Sequence, residues 1–325
     1  MIELAMGILG TARISQSIIP AVCEIDNIEI SAIASRTRSK AKAFAKHWNI
    51  PRYYGCYNEL LDDSTIDVVY IPLPNSLHAE WTVRAARSGK HVLCEKPLCL
   101  SVDEAENITK TAKEFDVIVV EALMYRHGEL ALTTKTLVDN DEIGSIQTID
   151  SSFCYPTERP DDDIRFKKEL GGGALWDLGY YPISLSNYLV GTMPIKVTGK
   201  EDSRGGIDHT VFGRLQYSNG VVANVASSFD LPRDSSLRIT GTKGEIVLSN
   251  SFLRADKNYI VIKRNGHQEK LLIESQGHRY AGQIRDLCEA IVTGQEPEVT
   301  LAESANNVAT VCALLRSLKE DANLN

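Results

Sequence analysis

The sequence lacks the cysteine and histidine patterns that mark disulfide frameworks and common metal sites. It has no C-x-x-C arrangement and no two histidines at ligand spacing. Its seven cysteines, at positions 23, 56, 94, 99, 154, 288 and 312, are scattered, and most have apolar neighbours. A free cysteine in such surroundings behaves as a small hydrophobic residue. We therefore expect no metal and a reducing, cytoplasmic location.

The chain also lacks long apolar runs and an excess of basic charge. No run approaches the roughly 18 residues of a membrane span, and the N-terminus has no signal-peptide layout. The formal net charge is -8 at pH 7, which argues against binding to nucleic acid or to an anionic membrane. We expect a small-molecule partner, no nucleic acid and no membrane. The 325 residues suit two domains.

The order of predicted elements gives the fold class. Up to about residue 122, apolar strand patterns alternate with helical patterns, which is typical of a parallel, doubly wound sheet with a dinucleotide-binding (Rossmann) layout. Beyond about residue 125, strands dominate and hairpin turn signals appear, which predicts an α+β domain with an open, mostly antiparallel sheet. We therefore expect an α/β protein with domains at 1–122 and 123–325. It stays open whether the two C-terminal helices pack back on the first domain.

A turn rich in small residues follows the first predicted strand and precedes a helical pattern. The dinucleotide fingerprint G-x-G-x-x-G appears here in the altered form G-x-A-x-x-S, starting at Gly10. A plain strand–helix turn explains the residues equally well. If the turn binds a cofactor, the candidate contacts are Gly10, Thr11, Ala12, Arg13 and Ile14.

The end of the second predicted strand bears on the choice of cofactor. NAD-binding domains usually place Asp or Glu there to hold the adenosine ribose. This chain has Ser35 and Arg36 instead, with no carboxylate at the position. Arg36 can pair with a 2′-phosphate and Ser35 can hydrogen-bond to it, so the residues favour NADP over NAD. The alternative is a basic helix start without a ligand.

Two further strand ends carry polar residues where ligands bind in open α/β sheets. Pro72, Asn75 and His78 follow the strand at 66–71, and Asn75 and His78 are candidates for the nicotinamide ribose. The same stretch contains Ser76, a predicted N-cap. An ordinary helix-surface histidine is the alternative for His78.

The strand at 91–94 ends at once in Glu95, Lys96 and Pro97. A lysine at a carboxyl strand end offers a compact charge on a flexible stem. Its alternative role is a solvated Glu–Lys pair in a loop. Pro97 cannot donate a backbone hydrogen bond and ends the strand.

A glycine-rich turn running into a helix interrupts the second domain at 170–183. Asp177 and Tyr181 are four residues apart and so share one helix face. Gly179 costs a helix about 1 kcal/mol relative to alanine, which indicates that a ligand or backbone approaches closely there. The alternative for Tyr181 is an ordinary half-buried tyrosine.

Taken together, six motifs resemble the family of glucose–fructose oxidoreductase and inositol dehydrogenase. The branch with dihydrodiol dehydrogenase, xylose dehydrogenase and sugar ketoreductases is the most similar. Tryptophan stands in dihydrodiol dehydrogenase where this chain has Met124, which weakens an aromatic diol as substrate and favours a sugar. The motifs, in chain order, are GILGTARI, SRTRSKA, PLPNSLH, CEKPL, EALMYR and GGGALWDLGYYP.

The resemblance implies an NADP-dependent oxidoreductase acting on a sugar or cyclic polyol. Lys96 matches the family's active-site lysine, Tyr181 its proton donor and acceptor, and Asp177 a residue that orients the substrate or Lys96. A free tyrosine titrates near ~10, and a nearby lysine cation would lower that pKa. Arg126 and Arg165 are candidate substrate contacts, with structural ion pairs as the alternative.

Four alternatives stay open from the sequence: a trans-dihydrodiol dehydrogenase, an aldose dehydrogenase of the same branch, a hydrolase of the family that uses the nicotinamide only transiently, and a non-catalytic NADP-binding regulatory protein. The presence of both Lys96 and Tyr181 favours an enzyme. We also expect a homodimer or homotetramer built through the C-terminal sheet. The reason is the alternation of apolar residues at Val221, Ala223 and Val225, which predicts an open apolar face.

Overall fold

The computed structural model describes residues 3–158, 163–252, 257–275 and 277–322. The chain forms two compact units, and each is described by itself. The first unit comprises residues 1–127 and 276–305, and the second comprises residues 128–275 and 306–325. Among the described residues, no helix has the length and apolar character that a membrane crossing requires.

The first unit contains a six-stranded sheet in which all neighbouring strands are parallel. The strand order is β3-β2-β1-β4-β5-β6, so the direction of winding reverses between β1 and β4. In sheets of this kind, ligands bind beyond the carboxyl ends of the strands at such a reversal. The strands are β1 (Leu4–Leu9), β2 (Ile28–Ala34), β3 (Arg52–Tyr54), β4 (Val68–Ile71), β5 (His91–Glu95) and β6 (Val119–Ala122).

Two strands of this sheet, the inner strand β4 and the edge strand β6, are buried on both faces. Every residue of β4 and of β6 is buried, so successive side chains on opposite faces are both covered. Six helices connect or follow the strands, in the layout that the alternating sequence predicted. They are α1 (Ser15–Val22), α2 (Arg38–Trp48), α3 (Tyr57–Leu61), α4 (Asn75–Arg87), α5 (Val102–Glu114) and, late in the chain, α8 (Ala281–Thr293).

The second unit contains an eight-stranded sheet of order β14-β13-β12-β11-β7-β10-β9-β8. All neighbouring pairs are antiparallel except β7 and β10. The predicted fold class is therefore confirmed. The strands are β7 (Ile146–Cys154), β8 (Lys196–Arg204), β9 (Ile207–Gln216), β10 (Val222–Ser228), β11 (Leu237–Gly241), β12 (Gly244–Leu248), β13 (Lys257–Arg264) and β14 (His267–Glu274).

Two helices of the second unit are α6 (Glu129–Asp139) and α7 (Tyr180–Val190), and α9 (Leu301–Ala322) begins in the first unit and continues in the second. The sequence patterns missed β14, because its exposed half reads as polar loop. The first unit also includes residues 276–305, which the division at residue 122 placed in the second domain. The domain limits 1–122 and 123–325 stay a prediction.

The apolar residues expected on an open sheet face lie on the buried face instead. Val221, Ala223 and Val225 are 4%, 0% and 5% exposed. The prediction that these alternating residues form an open apolar face is therefore wrong. The outer face carries a groove of about 750 Å³ with mixed lining, including exposed Phe212 and charged Arg214. The homodimer or homotetramer predicted from an open apolar face is therefore not supported by these three residues.

Arg126 forms a buried ion-pair cluster within the first unit. The side chain is 1% exposed and pairs with Glu303, while Glu298 lies 3.3 Å from the same guanidinium. Burial raises the pKa of Glu303, and the charge of Arg126 opposes this rise. These contacts support the structural alternative for Arg126 that the sequence left open. A buried charge needs such partners because desolvation is costly.

Arg126→Met should lower the free energy of unfolding by about 3 kcal/mol, because removing one partner of a buried pair leaves the other charges uncompensated. Urea unfolding measures the change. Arg84→Met is the matched control, since Arg84 pairs with Glu80 at 2.8 Å but both side chains are about half exposed. That variant should change stability by less than about 1 kcal/mol. Unchanged stability in Arg126→Met, together with weakened substrate binding, would instead make Arg126 a substrate contact.

Candidate active site

The turn after β1 combines a buried glycine with more open residues. Gly10 adopts φ +101°, a conformation that favours glycine, and a Cβ there would lie 3.1 Å from Leu73. Thr11, Ala12 and Ile14 are half-buried and Arg13 is exposed, so the turn is open to a ligand. Ser15, at the position of the third fingerprint glycine, is fully buried as the first residue of α1. The backbone at the turn is therefore accessible.

The next strand end carries the residues predicted to choose the cofactor. Ser35 is 5% exposed at the end of β2, whereas Arg36 is exposed. Among the described residues, no carboxylate pairs with the Arg36 guanidinium, in contrast to Arg38, which pairs with Glu59. Because β2 lies beside β1 in the sheet, Arg36 and the Gly10 turn follow adjacent strand ends.

The structure gives His78 a different position from the one predicted. The ring is 1% exposed, with Nδ1 2.6 Å from the carbonyl oxygen of Pro97 and Nε2 2.7 Å from that of Leu73. Burial lowers the pKa of His78, the two carbonyl oxygens oppose this, and the charge of Lys96 adds to it. A neutral imidazole donates from one nitrogen only, so it can hydrogen-bond to one of these two carbonyl oxygens, and the ring lies between the loops after β4 and β5.

The neighbouring residues of this loop are more open. Pro72 is buried, whereas Asn75 is half-buried at the start of α4. The helix begins at Asn75 with Pro74 as its N-cap, so the prediction of Ser76 as N-cap is wrong. Pro74 suffices there because its extended backbone leads directly into the helix.

Three buried side chains hold the segment around Lys96 in place. The Tyr70 hydroxyl donates to Glu95 Oε1 at 2.7 Å, and Glu121 Oε1 accepts from the Leu98 backbone N–H at 2.7 Å. The third is His78, which contacts the Pro97 carbonyl. Burial raises the pKa of Glu95, and the hydrogen bond from Tyr70 and the charge of Lys96 oppose the rise. Lys96 itself is half-buried. The segment is therefore fixed on both sides of the lysine.

The candidate residues of the second unit lie on one helical stretch. A π-helical turn, Leu175–Gly179, leads directly into α7. Between residues 173 and 187, every residue is buried except Asp177 and Tyr181, which are half-buried. Turns of the π type occur often at functional sites. This helix therefore exposes a carboxylate and a phenol, one turn apart, and little else.

Aromatic packing holds the ring of Tyr181. Phe153 lies edge-on at 5.3 Å between ring centroids, and Phe252 lies tilted at 5.6 Å. Such pairs each stabilise by about 0.5–1.5 kcal/mol beyond their buried area. The ring therefore has a defined orientation within its unit.

Gly179 permits close packing inside the protein, and no ligand is needed to explain it. A Cβ at this position would lie 2.8 Å from Leu175 Cδ1 and 2.9 Å from Ser227 Oγ. The helix therefore rests directly on β10. The sequence signalled the close approach correctly, but it did not identify the neighbour as a side chain.

Arg165 is fixed by a carboxylate two residues away. Its Nε lies 3.0 Å from both carboxylate oxygens of Asp163, and Nη2 lies 2.5 Å from Oδ2. The charge of Asp177 also acts on the Arg165 guanidinium. Arg165 thus lies near the exposed carboxylate of the helix while it is paired with Asp163.

Sequence reasoning missed Asp208. This residue at the start of β9 is 8% exposed, and its Oδ2 accepts a 2.6 Å hydrogen bond from the Leu175 backbone N–H. No sequence signal ties residue 208 to residue 175, because the contact arises from the sheet. Within the part of the chain that the structure describes, no group of His, Cys, Asp and Glu is arranged to hold a metal ion.

The arrangement offers the parts of a proton-transfer site without a metal. In the first unit, a half-buried lysine, a glycine turn and Arg36 follow the ends of β5, β1 and β2, and among the described residues no carboxylate pairs with Arg36. The second unit presents a carboxylate and a phenol on one helix. A phenol can donate or accept a proton at a reacting oxygen, and an ammonium group can polarise that oxygen.

Comparisons with known proteins agree with these observations. Residues 4–123 match the family model described as an oxidoreductase family with an NAD-binding Rossmann fold, and residues 131–247 match the GFO/IDH/MocA C-terminal domain. D-xylose 1-dehydrogenase (NADP(+)) 2 from Haloferax volcanii is 35% identical over 323 residues, which cover 98% of each chain.

Solved structures are similar over nearly the whole chain. An aldose-aldose oxidoreductase from Caulobacter crescentus, complexed with glycerol, superimposes with a TM-score of 0.91 at 26% identity, covering 98% of both chains. A 3-ketoreductase from Actinomadura kijaniata, in complex with NADP and TDP-benzene, gives a TM-score of 0.88 at 28% identity, covering 97% of this chain and 98% of that one. The family resemblance inferred from the motifs is confirmed: the chain belongs to the GFO/IDH/MocA family of oxidoreductases.

Proposed function

We propose that this oxidoreductase is NADP-dependent and transfers a hydride between the nicotinamide and a hydroxyl or ketone of a sugar or cyclic polyol. The observation that carries the proposal is the helix of the second unit, which is buried throughout 173–187 except at Asp177 and Tyr181. A structural helix has no need to leave a phenol and a carboxylate open at a spacing of four residues. A regulatory protein without catalysis would not need a proton donor there.

The residues present fit a dinucleotide with a 2′-phosphate. Gly10 leaves the backbone of the first turn open, and the unpaired Arg36 guanidinium follows the neighbouring strand. Pro72, Asn75 and Glu95 follow the strands on the other side of the reversal, and we keep them with Lys96 as proposed cofactor contacts. Similar relatives are named as NADP(+)-dependent or were solved with NADP.

We propose the following division of roles. When bound, the nicotinamide supplies or accepts the hydride at the substrate carbon. Tyr181 gives its phenolic proton to the carbonyl oxygen in reduction and takes it back in oxidation. Lys96 supplies positive charge to that oxygen and to the phenolate, and Asp177 orients a substrate hydroxyl. The joint action of Lys96 and Tyr181 is supported by the family resemblance, since each lies in its own unit.

A sugar substrate is supported by the names of the relatives, which include a D-xylose dehydrogenase and an aldose-aldose oxidoreductase. A dihydrodiol substrate is the second candidate, since trans-1,2-dihydrobenzene-1,2-diol dehydrogenase from Xenopus laevis is 32% identical over 268 residues. Screening aldoses, cyclic polyols and diols with NADP⁺ by absorbance tests the proposed function. Reduction of NADP⁺ by none of them, with bound cofactor, would support the regulatory alternative. A cytoplasmic location is part of the proposal and is supported by the free cysteines.

Cofactor preference depends on Arg36. The wild type should bind NADPH more tightly than NADH by roughly tenfold to a hundredfold, because a charge-assisted hydrogen bond is worth about 1.5–3 kcal/mol. Arg36→Ala should remove most of this difference and leave NADH affinity unchanged. Fluorescence titration with both cofactors measures the effect.

Arg38→Ala is the control for that measurement, since Arg38 is already paired with Glu59. It should change the preference much less than Arg36→Ala. Equal affinities of the wild type for the two cofactors would contradict the role of Arg36.

The proton-transfer role of Tyr181 predicts non-additive kinetics. Tyr181→Phe keeps the ring between Phe153 and Phe252 but removes the proton, so kcat should fall by about 10²–10⁴ while NADPH affinity stays the same. Lys96→Met should lose a similar amount and the double variant little more, because the two groups act as a unit. In Lys96→Met, the limiting ionisation for alcohol oxidation should move to higher pH, since the stabilising cation is gone.

Tyr180→Phe provides the control, because Tyr180 is adjacent to Tyr181 but 0% exposed. This variant should retain most of the turnover. Near-wild-type kcat in Tyr181→Phe would remove Tyr181 from the mechanism and leave Lys96 or water as the proton source.

We further propose a homodimer or homotetramer formed through the outer face of the C-terminal sheet. This face has an exposed Phe212, 51% accessible, beside charges of both signs such as Asp150 and Arg238. In a two-fold contact, the same face meets itself, so charges of both signs can pair. Phe212→Asp should shift the protein to monomers, as measured by light scattering at micromolar concentration.

The matched control is Phe115→Asp, since Phe115 is 39% exposed but lies in the first unit at the end of α5. It should leave the oligomeric state unchanged. A monomeric wild type would contradict the proposal.

A further inference from the structure

Asp208 joins the sheet of the second unit to the start of the helix that carries Asp177 and Tyr181. Its Oδ2 accepts from the Leu175 N–H at 2.6 Å, and the nearby Ala174 N–H also lowers the pKa of the carboxyl. The first N–H groups of a helix have no partner within the helix. Ala174 itself provides no side-chain cap. The cap is therefore Asp208 of strand β9, which lies 33 residues after Leu175 in the chain.

The contact is too close to be a chance approach of two surfaces. A Cβ on Gly173 would lie 2.1 Å from Asp208 Oδ1, and Gly173 adopts φ +123°, where other residues are strained. Only glycine therefore lets the carboxylate reach the helix start. This contact explains why the third residue of the G-G-G motif is glycine. Gly173 leaves room for the Asp208 side chain of the sheet.

Asp208 is held at the start of β9. It pairs with Ser203 of β8, beside a register shift in that strand, and β9 pairs with β10 from Thr210 onward. Its side chain is 8% exposed, so it lies away from solvent. The helix packs on the same sheet at Gly179, where an added Cβ would clash with Ser227 of β10.

We propose that Asp208 is a positioning residue that sets the place of Asp177 and Tyr181 by fixing the first turn of their helix. The contact lies two residues before Asp177 and six before Tyr181. The intervening turn is of the π type, so its position depends on where the helix starts. A displacement of about 1 Å at a reacting group can cost about 10²-fold in rate. The kinetic consequence rests on the proposed function of Tyr181, whereas the structural consequence does not.

The burial of the carboxylate has a second consequence. Burial raises the pKa of Asp208 to about 6, Glu201 of β8 adds to the rise, and the backbone N–H groups of Leu175, Asp208 and Ala174 oppose it. The folded pKa thus exceeds the ordinary value of 3.8, so ionisation costs stability as the pH rises through about 6. An asparagine keeps an acceptor oxygen and cannot ionise. The stability of Asp208→Asn relative to wild type should therefore increase between pH 4 and pH 7.

The experiment compares variants that separate shape from charge. Asp208→Asn keeps the length and the acceptor oxygen, whereas Asp208→Glu keeps the charge but is one methylene longer in a tight site. Asp208→Ala removes the acceptor. A positioning role predicts that Asn retains kcat within about threefold while Glu and Ala lose about 10- to 100-fold, all with unchanged NADPH affinity. A role for charge alone predicts the reverse order of Asn and Glu, and that order would overturn the proposal.

Amide hydrogen exchange tests the same point without turnover. Asp208→Ala and Asp208→Glu should speed exchange in residues 174–181 by about tenfold or more through local opening, and Asp208→Asn should not. Unchanged exchange in this segment would overturn the proposal even if no substrate were found. Failure of every sugar in the activity screen would count against the proposed function alone.

Asn187→Ala is the matched control for loss of a buried polar contact. Asn187 lies on the same helix, where it bonds to Asn307, Thr310 and Tyr217. Its loss should lower stability but leave kcat and the exchange of residues 174–181 near wild type. If Asp208→Ala does not fold, the comparison of Asp208→Asn with Asp208→Glu tests the proposal, since both variants keep an acceptor oxygen. Equal kcat in Asp208→Glu and Asn187→Ala would overturn the proposal.

Discussion

A few hydrogen bonds from buried polar side chains to the backbone shape the candidate residues of each unit. An unpaired buried donor or acceptor costs about 1–3 kcal/mol. In the first unit, His78 and Glu121 contact the backbone on the C-terminal side of Lys96. In the second, Asp208 caps a helix. Satisfying these groups therefore also fixes the backbone that carries the candidate reactive side chains.

The same arrangement separates side chains proposed to touch ligands from side chains that hold the backbone in place. Lys96, Asp177 and Tyr181 are half-buried, whereas His78, Glu121 and Asp208 are at most 8% exposed. Residue type alone does not make this distinction, because carboxylates occur in both groups. Arg126 belongs with the buried residues as well, since two glutamates surround its guanidinium. Exposure is thus the property that sorts the polar residues into two roles.

The strand reversal between β1 and β4 explains why the first unit has its candidate residues at one edge. Parallel strands end at the same edge of a sheet, so residues far apart in sequence become neighbours there. The second unit works differently, because its antiparallel sheet is a support on which one helix rests. The two family models match these two parts of the chain separately, at residues 4–123 and 131–247.

The sequence alone determined the fold class, the family and the strand ends, because periodicity and short motifs are local signals. It also placed Asp177 and Tyr181 on one helix face, since helical spacing needs no tertiary information. Tertiary structure decided what those signals cannot contain: that His78 turns inward, that Val221, Ala223 and Val225 face the core, and that Asp208 caps a helix 33 residues earlier. The physical reason is that burial and hydrogen-bond partners depend on segments distant in the chain, and only the packed sheet brings these together.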